Sequence, residues 1–146
     1  MSVDLFKRYC QENGIDVETI QEGSSTHTAR DSAENYGVGL NQIVKSLLLK
    51  VGDEFCIFLI SGDKRLDFDM LKERFGKEIR MATAEEVKEV TGYSIGGVPP
   101  FGHKSKLTTY IEDGFPIDGE LFAAAGNIDA VFKTDLERLT RYCSQP

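Results

Sequence analysis

Two apolar segments joined by a two-residue turn constrain the fold of this chain most. "QIVKSLLLKV" (residues 42–51) and "EFCIFLI" (residues 54–60) are rich in β-branched and large apolar side chains. Gly52 and Asp53, which separate them, suit the tight turn between two antiparallel strands. The two segments therefore predict a β-hairpin.

Helix boundaries are marked along the rest of the chain by capping residues and by glycines. Helices are predicted to begin near Ser2, Thr28, Asp67 or Asp69, and Thr83, and to end at Gly14, Gly37, Gly76 and Gly92. Thr83 and Glu86 have the spacing of a capping box, and Thr134 and Glu137 repeat it before a terminal helix.

Short strands are expected between these helices, at residues 17–21, 79–81, 107–111, 121–125 and 130–133. Because several of them follow one another through tight turns, the pattern disfavours a purely parallel, doubly wound sheet. We predict an α/β fold, with a mixed, mostly antiparallel sheet or a partly closed barrel surrounded by short helices. The 146 residues suit one domain, 1–146.

The composition narrows the classes of function. No stretch approaches the roughly 20 apolar residues of a membrane helix, and the N-terminus lacks the pattern of a secretory signal. Three widely spaced cysteines and two histidines argue against a disulfide framework and a structural zinc site. We expect a soluble cytoplasmic protein without metal or cofactor. By itself, the net charge of −7 disfavours a nucleic-acid partner, unless positive residues gather at one site, and no DNA or membrane partner is expected.

Lys45 interrupts an otherwise apolar strand, and a lysine is rarely buried without a partner. One interpretation is that its side chain reaches solvent from an edge of the sheet. The other is that the strand holds one cation at the floor of a cleft. There, a low dielectric would strengthen its attraction to a phosphate or a developing oxyanion.

The segment "YSIGGVPPFGHK" (residues 93–104) is rich in glycine and proline and matches neither nucleotide-binding glycine motif. It is either a surface connection or a rigid set of donors. In the second case, Gly96 and Gly97 would present unobstructed backbone N–H groups, while Pro99 and Pro100 would restrict the backbone. Such a loop could bind a carbonyl oxygen or a carboxylate.

Four segments together resemble a known family. "NQIVKSLLLK", "GYSIGGVPPFG", "LFAAAGN" and "IDAVFKTDLERL" follow one another in the order and spacing of the YbaK-like deacylases, which are related to the editing domain of prolyl-tRNA synthetase. The resemblance runs from about Thr26 to Leu139. The lysine strand and the G-x-x-x-P loop are its specific parts.

The resemblance implies hydrolysis, in trans, of the ester between a small wrong amino acid, such as alanine or cysteine, and the 3′ end of a tRNA. Lys45 matches the family's lysine, which holds the terminal nucleotide. The G-x-x-x-P loop, Gly96 to Pro100 with Gly97, Val98 and Pro99 between them, would position the aminoacyl group. A water would attack with help from the tRNA's own hydroxyl, without a protein nucleophile or a metal.

Other residues are weaker candidates for the site. His27 either caps or packs the second helix or belongs to the pocket wall. His103 is either a solvated loop residue or a substrate contact. The resemblance places Gly126 and Asn127 in a turn near the site. A larger set of cations, either solvated or ringing the cleft to receive tRNA phosphates, comprises Lys64, Arg65, Lys104 and Lys106.

Two other functions compete with the deacylase. A noncatalytic module could bind aminoacyl-tRNA or an aminoacyl-tRNA synthetase through the same cleft. A thiol-dependent hydrolase would use Cys56 or Cys143 with a histidine, and would need a thiol in an electropositive, partly exposed setting.

Overall fold

The computed structural model describes residues 2–21 and 29–146. Five α-helices are α1 (Ser2–Glu12), α2 (Ala29–Tyr36), α3 (Phe68–Phe75), α4 (Ala84–Thr91) and α5 (Leu136–Tyr142). Seven strands are β1 (Glu18–Gln21), β2 (Ile43–Val51), β3 (Glu54–Ser61), β4 (Ile79–Met81), β5 (Thr108–Ile111), β6 (Leu121–Ala124) and β7 (Ala130–Thr134). None of these helices is long and apolar enough to cross a membrane.

The predicted α/β fold with a mixed sheet is confirmed. The strand order is β1-β7-β6-β2-β3-β5, and the sheet is open, so the partly closed barrel does not form. The central hairpin pairs β2 with β3 from Val44–Ser61 to Val51–Glu54. Two of the other pairings, β2 with β6 and β3 with β5, are parallel.

One edge of β2 is shared by two strands and is therefore only partly covered. Since β3 occupies one edge of β2 along almost its whole length, β6 and β4 must both lie on the other edge. β6 pairs with Ile43 and Val44, and β4 pairs with residues 49–51. Within residues 2–21 and 29–146, no strand pairs with residues 45–48 on that edge. This opening positions the candidate site.

Helices cover both faces of the sheet. Phe6 of α1, Val87 of α4 and Leu139 of α5 belong to the largest buried cluster, with Val44, Leu48, Ile57 and Leu59 of the hairpin. On the opposite face, Leu71 of α3 packs with Leu49 and Phe58. Ala33 of α2 packs there with Ile43 and Phe122. The alternation of β2 side chains between the two clusters follows from the period of two in a strand.

Most helix ends lie where the sequence predicts them, with one correction. Asp67 caps α3 by accepting from Met70 N, and Thr83 and Glu86 form the capping box of α4. The capping box predicted for Thr134 and Glu137 is wrong. Thr134 is the buried last residue of β7, and Asp135 caps α5 by accepting from Arg138 N at 2.8 Å. The predicted cap Thr28 lies outside the described residues.

Candidate functional site

A cavity of about 310 Å³ opens beside the uncovered edge of β2. Its described lining is apolar or glycine except for Ser32, Lys45 and Ser46. Residues 44–48 of β2 form one wall, and the others include Met81, Ala82, Val87, Ile95, Gly96, Val98, Phe122, Ala123, Ala124, Ile128, Ala130 and Val131. Met81, Ile95 and Ile128 are large apolar side chains that stay exposed. The cavity therefore combines an apolar interior with an apolar rim and one cation.

Lys45 is half-buried at this cavity, and its ammonium is held by the turn after β3. Nζ donates to the carbonyl oxygen of Lys64 at 2.6 Å. Burial lowers the pKa of Lys45, the positive charge of Arg65 lowers it further, and Asp63 opposes both effects. An ammonium has three donors, so two remain for a ligand.

The turn that holds Lys45 is itself fixed by short hydrogen bonds. Gly62 N donates to Ile43 O at 2.8 Å, and Lys64 N donates to Ser61 O at 3.0 Å. The Ser61 hydroxyl donates to the Asp63 carboxylate at 2.6 Å, which is the largest cause of the lowered pKa of Asp63. Because the turn is bonded to the start of β2, the Lys64 carbonyl is a fixed anchor for the Lys45 side chain.

The glycines of the loop at residues 96–102 differ in whether their backbone N–H groups are already hydrogen-bonded. Gly96 lines the cavity with φ of +87°, and its N–H has no acceptor within the described part of the chain. The Gly97 N–H is not a free donor, because it donates to Ser94 O at 3.0 Å. Gly97 is instead bonded to the turn after β6, because Gly126 N donates to the carbonyl oxygen of Gly97 at 3.0 Å. Gly96 is therefore the glycine at the cavity whose N–H stays unused by the described residues.

The two prolines of the loop are buried, and their carbonyl oxygens contact side chains on the side of the loop away from the cavity. Pro99 O lies 2.6 Å from His103 Nε2, and Pro100 O accepts from the Cys143 thiol at 3.4 Å. Burial lowers the pKa of His103, which favours the neutral imidazole. The donor to Pro99 is thus an N–H of a histidine that lies behind the loop and does not line the cavity.

The structure brings together only some of the predicted site residues. Lys45, Gly96 and Val98 line the cavity, whereas Gly97, Pro99, Pro100, Gly126 and Asn127 support the loop beside it. His27 lies outside the described residues. Lys64 and Arg65 flank Lys45, but Lys104 and Lys106 line a separate hollow with His103, so the predicted ring of four cations does not form at this cavity.

Sequence reasoning missed Ser46 and Ile128. Ser46 follows Lys45 in an apolar strand, which was a detectable signal, since a polar residue in such a strand needs a partner. Ile128 lies in the turn between β6 and β7 and contacts the position of Gly96. No local pattern distinguishes that isoleucine from an ordinary turn residue.

A thiol-dependent hydrolase is not supported by the surroundings of the cysteines. All three thiols are free and buried. Burial raises the pKa of Cys10 to about 11 and that of Cys143 to about 12, and it also raises the pKa of Cys56. The reactive thiolate is therefore scarce near neutral pH.

Comparison with known proteins places this geometry in a family. The model of the aminoacyl-tRNA editing domain matches residues 23–142. The uncharacterized protein YwhH of Bacillus subtilis is 30% identical over 138 residues, which is 94% of this chain and 85% of that protein. A proline–tRNA ligase of Halalkalibacterium halodurans is 38% identical over 59% of this chain, which corresponds to only 15% of the ligase.

Two solved structures share the fold over almost the whole chain. One, described as a candidate trans-editing enzyme for prolyl-tRNA synthetase, has a TM-score of 0.87 and 36% identity, covering 94% of this chain and 88% of that one. The hypothetical protein APE2540 has a TM-score of 0.82 and 27% identity, covering 94% and 92%. The chain therefore belongs to the aminoacyl-tRNA editing domain family, and is homologous to the editing domains inserted in prolyl-tRNA synthetases.

Proposed function

We propose that this protein is a cytoplasmic deacylase, a single domain over 1–146, that removes a small misattached amino acid from tRNA in trans. Alanine and cysteine on the proline tRNA are the first candidate substrates. The observation that carries the proposal is the cavity beside β2. It brings together Lys45 and Gly96, whose N–H has no acceptor among the described residues, in a member of an editing family.

The reaction is the hydrolysis of an ester. The oxygen of a water attacks the carbonyl carbon, and the bond from that carbon to the ribose oxygen breaks. The ribose oxygen takes the proton that the attacking water gives up, so the products are the free amino acid and a tRNA with an intact 3′ end. A hydroxyl of the terminal ribose would help to orient the water. No step requires a covalent bond to the protein.

Two groups of the chain supply the electrostatic part of this reaction. The Lys45 ammonium would bind the terminal nucleotide with the donors that the Lys64 carbonyl leaves free. The Gly96 N–H would donate to the carbonyl oxygen of the ester, on which negative charge develops as the water attacks. Both groups are fixed before the substrate binds. Lys45 belongs to a strand paired with β3, and Gly96 belongs to a loop that is hydrogen-bonded to the turn after β6.

The size and lining of the cavity support a small aminoacyl group. A space of about 310 Å³ is near the lower end of ordinary ligand sites, which begin at about 300 Å³. Alanines at positions 82, 123, 124 and 130 keep its walls close to the backbone. Larger side chains would be rejected by size, which is the form of selectivity that an apolar pocket provides best.

The test is release of labelled amino acid from mischarged tRNAs by the wild type, Lys45→Ala and Lys50→Ala. Lys50 lies in the same strand but outside the cavity, where its ammonium faces the Phe55 ring at 5.9 Å. We expect Lys45→Ala to lower the rate at least about 100-fold, as expected for the loss of an electrostatic contact in the transition state, and Lys50→Ala to retain activity. Equal rates for the wild type and Lys45→Ala would contradict the role of Lys45.

The same experiment separates the deacylase from a noncatalytic module. A module that binds aminoacyl-tRNA or a synthetase through this cavity would release no amino acid from any tRNA, yet would still bind tRNA. Full tRNA affinity in the wild type without release would therefore replace the deacylase with that alternative.

A further inference from the structure

A second cavity, of about 340 Å³, lies beside the turn that anchors Lys45. Lys64, whose carbonyl oxygen accepts from Lys45 Nζ, belongs to its wall. Ile60 lines it too, and Ile60 is paired with Lys45 across the hairpin. Because paired residues of neighbouring strands share a face of the sheet, the second cavity lies on the face to which the Lys45 side chain points. A nucleotide chain whose last residue is bound at Lys45 can therefore continue into it.

Two cations at the second cavity are available to a phosphate. Lys64 and Arg65 line it, and neither makes an ion pair within the described ranges. They follow one another in the turn after β3, next to the carbonyl that holds Lys45. Phosphate oxygens of a nucleic acid are bound most often by lysine and arginine. This part of the cavity therefore suits the phosphate between two nucleotides.

A fixed donor and acceptor lie side by side in another part of the wall. Arg74 Nη1 donates to Glu112 Oε1 at 2.8 Å. The Arg74 guanidinium also lies 4.8 Å from the ring centroid of Phe75 and 5.4 Å from that of Tyr110. Contacts on several sides fix the pair before a ligand binds. Both partners keep free groups, because a guanidinium has five N–H donors and a carboxylate has two oxygens.

Apolar side chains complete the second cavity. Ile60 and Leu71 are buried in its wall, and Leu66 is half-buried there. Met70 of α3 lies beside them with 67% of its surface exposed, which is unusual for so large an apolar side chain. A thioether makes favourable contacts with aromatic rings. Met70 can therefore cover the face of a base.

The hydrogen-bonding pattern of the Arg74–Glu112 pair matches cytosine. The exocyclic amine of cytosine donates, which suits the carboxylate, and its N3 and O2 accept, which suits the guanidinium. Uracil presents an acceptor where cytosine has the amine, and a donor at N3. Every tRNA ends in C-C-A, so the nucleotide before the terminal adenosine is a cytidine. Unstacked bases at RNA ends are commonly recognised by hydrogen bonds to this edge.

We propose that the second cavity binds the cytidine that precedes the terminal adenosine of the tRNA. Lys64 and Arg65 hold its phosphate, and Met70 covers the face of its base. The Arg74–Glu112 pair binds the base edge. This inference rests on the proposed function, because it assumes that the terminal nucleotide is bound at Lys45. It assigns the second cavity to the tRNA end itself and not to the misattached amino acid.

The test measures binding of two uncharged RNA hairpins, which copy a tRNA acceptor stem and end in CCA or CUA, by fluorescence anisotropy. We expect the wild type to bind the CCA hairpin about tenfold more tightly, which is within the discrimination expected of a bidentate base contact. Glu112→Gln should bring the ratio of affinities close to one, because a carboxamide can also donate to the uracil oxygen. Equal affinities in the wild type, or a ratio that Glu112→Gln leaves unchanged, would overturn the proposal.

Glu78→Gln is the matched control for charge. Glu78 is paired with Lys72 at 3.5 Å and does not line the second cavity. The substitution removes the same charge from the protein, so it should leave the CCA-to-CUA ratio as in the wild type. An equal collapse of the ratio in both variants would mean that Glu112 acts through net charge, which would overturn its contact with the base.

Met70→Ala tests the position of the base independently. Met70 is largely exposed, so the variant should fold with an unchanged melting temperature and should bind both hairpins several-fold more weakly. Ile117→Ala removes an apolar side chain that is 83% exposed and lies outside the second cavity, and it should bind like the wild type. Wild-type affinity in Met70→Ala would contradict the placement of the base on α3.

Failure of the deacylase function is distinguishable from failure of this inference, because the hairpins carry no amino acid. A CCA preference that depends on Glu112, in a protein that releases no amino acid from any tRNA, would support the second cavity as a cytidine site and refute the deacylase. Rapid release from mischarged tRNA, with equal affinity for the two hairpins, would support the deacylase and overturn the cytidine site.

Discussion

The protonation of Lys45 depends on two charged neighbours in the turn that follows β3. Burial is the largest cause of its lowered pKa, Arg65 acts in the same direction, and Asp63 acts in the opposite one. The ammonium form is therefore less stable than that of an exposed lysine. If the proposed function is correct, activity falls as the pH rises through this lowered pKa, at a lower pH than for an ordinary lysine.

Neutralising either neighbour should move the pH at which activity is lost on the alkaline side, and the two substitutions should move it in opposite directions. Asp63→Asn removes a charge that raises the pKa of Lys45, so the limit should move to lower pH. Arg65→Gln removes a charge that lowers it, so the limit should move to higher pH. The measurement is the deacylation rate from about pH 7 to about pH 10, the range below an ordinary lysine pKa, after subtraction of spontaneous ester hydrolysis. Movement of both variants in one direction would refute the assignment.

At the level of elements, the loop at residues 96–102 is positioned by its contact with the turn between β6 and β7. A Cβ atom at Gly97 would lie 2.8 Å from the Cα of Asn127, which is backbone and cannot move aside as a side chain can. The carbonyl of Gly97 is also bonded to Gly126 N. The two segments can approach this closely only because position 97 has no side chain.

Gly97→Ala should therefore displace the loop and impair both stability and catalysis. We expect a loss of about 1–3 kcal/mol in the free energy of unfolding, as for an overpacked contact, with a large fall in deacylation rate. Gly76→Ala is a matched control, because that glycine caps α3 at φ of +64° with open space around its Cβ position. It should cost about 1 kcal/mol and leave catalysis intact. Similar catalytic losses in both variants would mean that the loop effect is only destabilisation.

Local signals account for the elements that the sequence predicts correctly. Residues that are close together in the sequence determine the hairpin turn, the Thr83 capping box and the glycine that ends α4. The cap of α5 was misplaced by one residue because Thr134 and Asp135 both have capping side chains, and only the pairing of Thr134 in β7 decides between them.

Parts of the site depend on contacts that no local pattern encodes. The opening beside Ser46 exists because β6 and β4 reach β2 from distant parts of the chain and stop short of each other. Lys45 and the glycine loop could be singled out from sequence because their residue types are unusual where they stand. That both line the same cavity could not be predicted from the sequence.

At the scale of the whole molecule, the proposed tRNA substrate must approach an acidic protein where cations are gathered. The net charge is −7, and Lys64 and Arg65 lie beside Lys45 in the turn that anchors it. Lys104 and Lys106 lie in the hollow behind the loop. If the 3′ end enters the cavity from the side of Lys45, the phosphates of the acceptor strand should meet the first pair and not the second.

Charge reversal of each pair tests this orientation of the tRNA. The double variants Lys64→Glu with Arg65→Glu, and Lys104→Glu with Lys106→Glu, add the same negative charge, so general repulsion of the tRNA is equal in both. Each phosphate contact on a single strand contributes about −0.7 to the slope of log affinity against log salt concentration. The first variant should therefore lose about 1.4 of slope, together with at least tenfold in affinity at low salt, while the second keeps the wild-type slope. Equal losses in the two variants would mean that the tRNA responds to net charge, and an effect confined to the second would place the acceptor strand behind the loop.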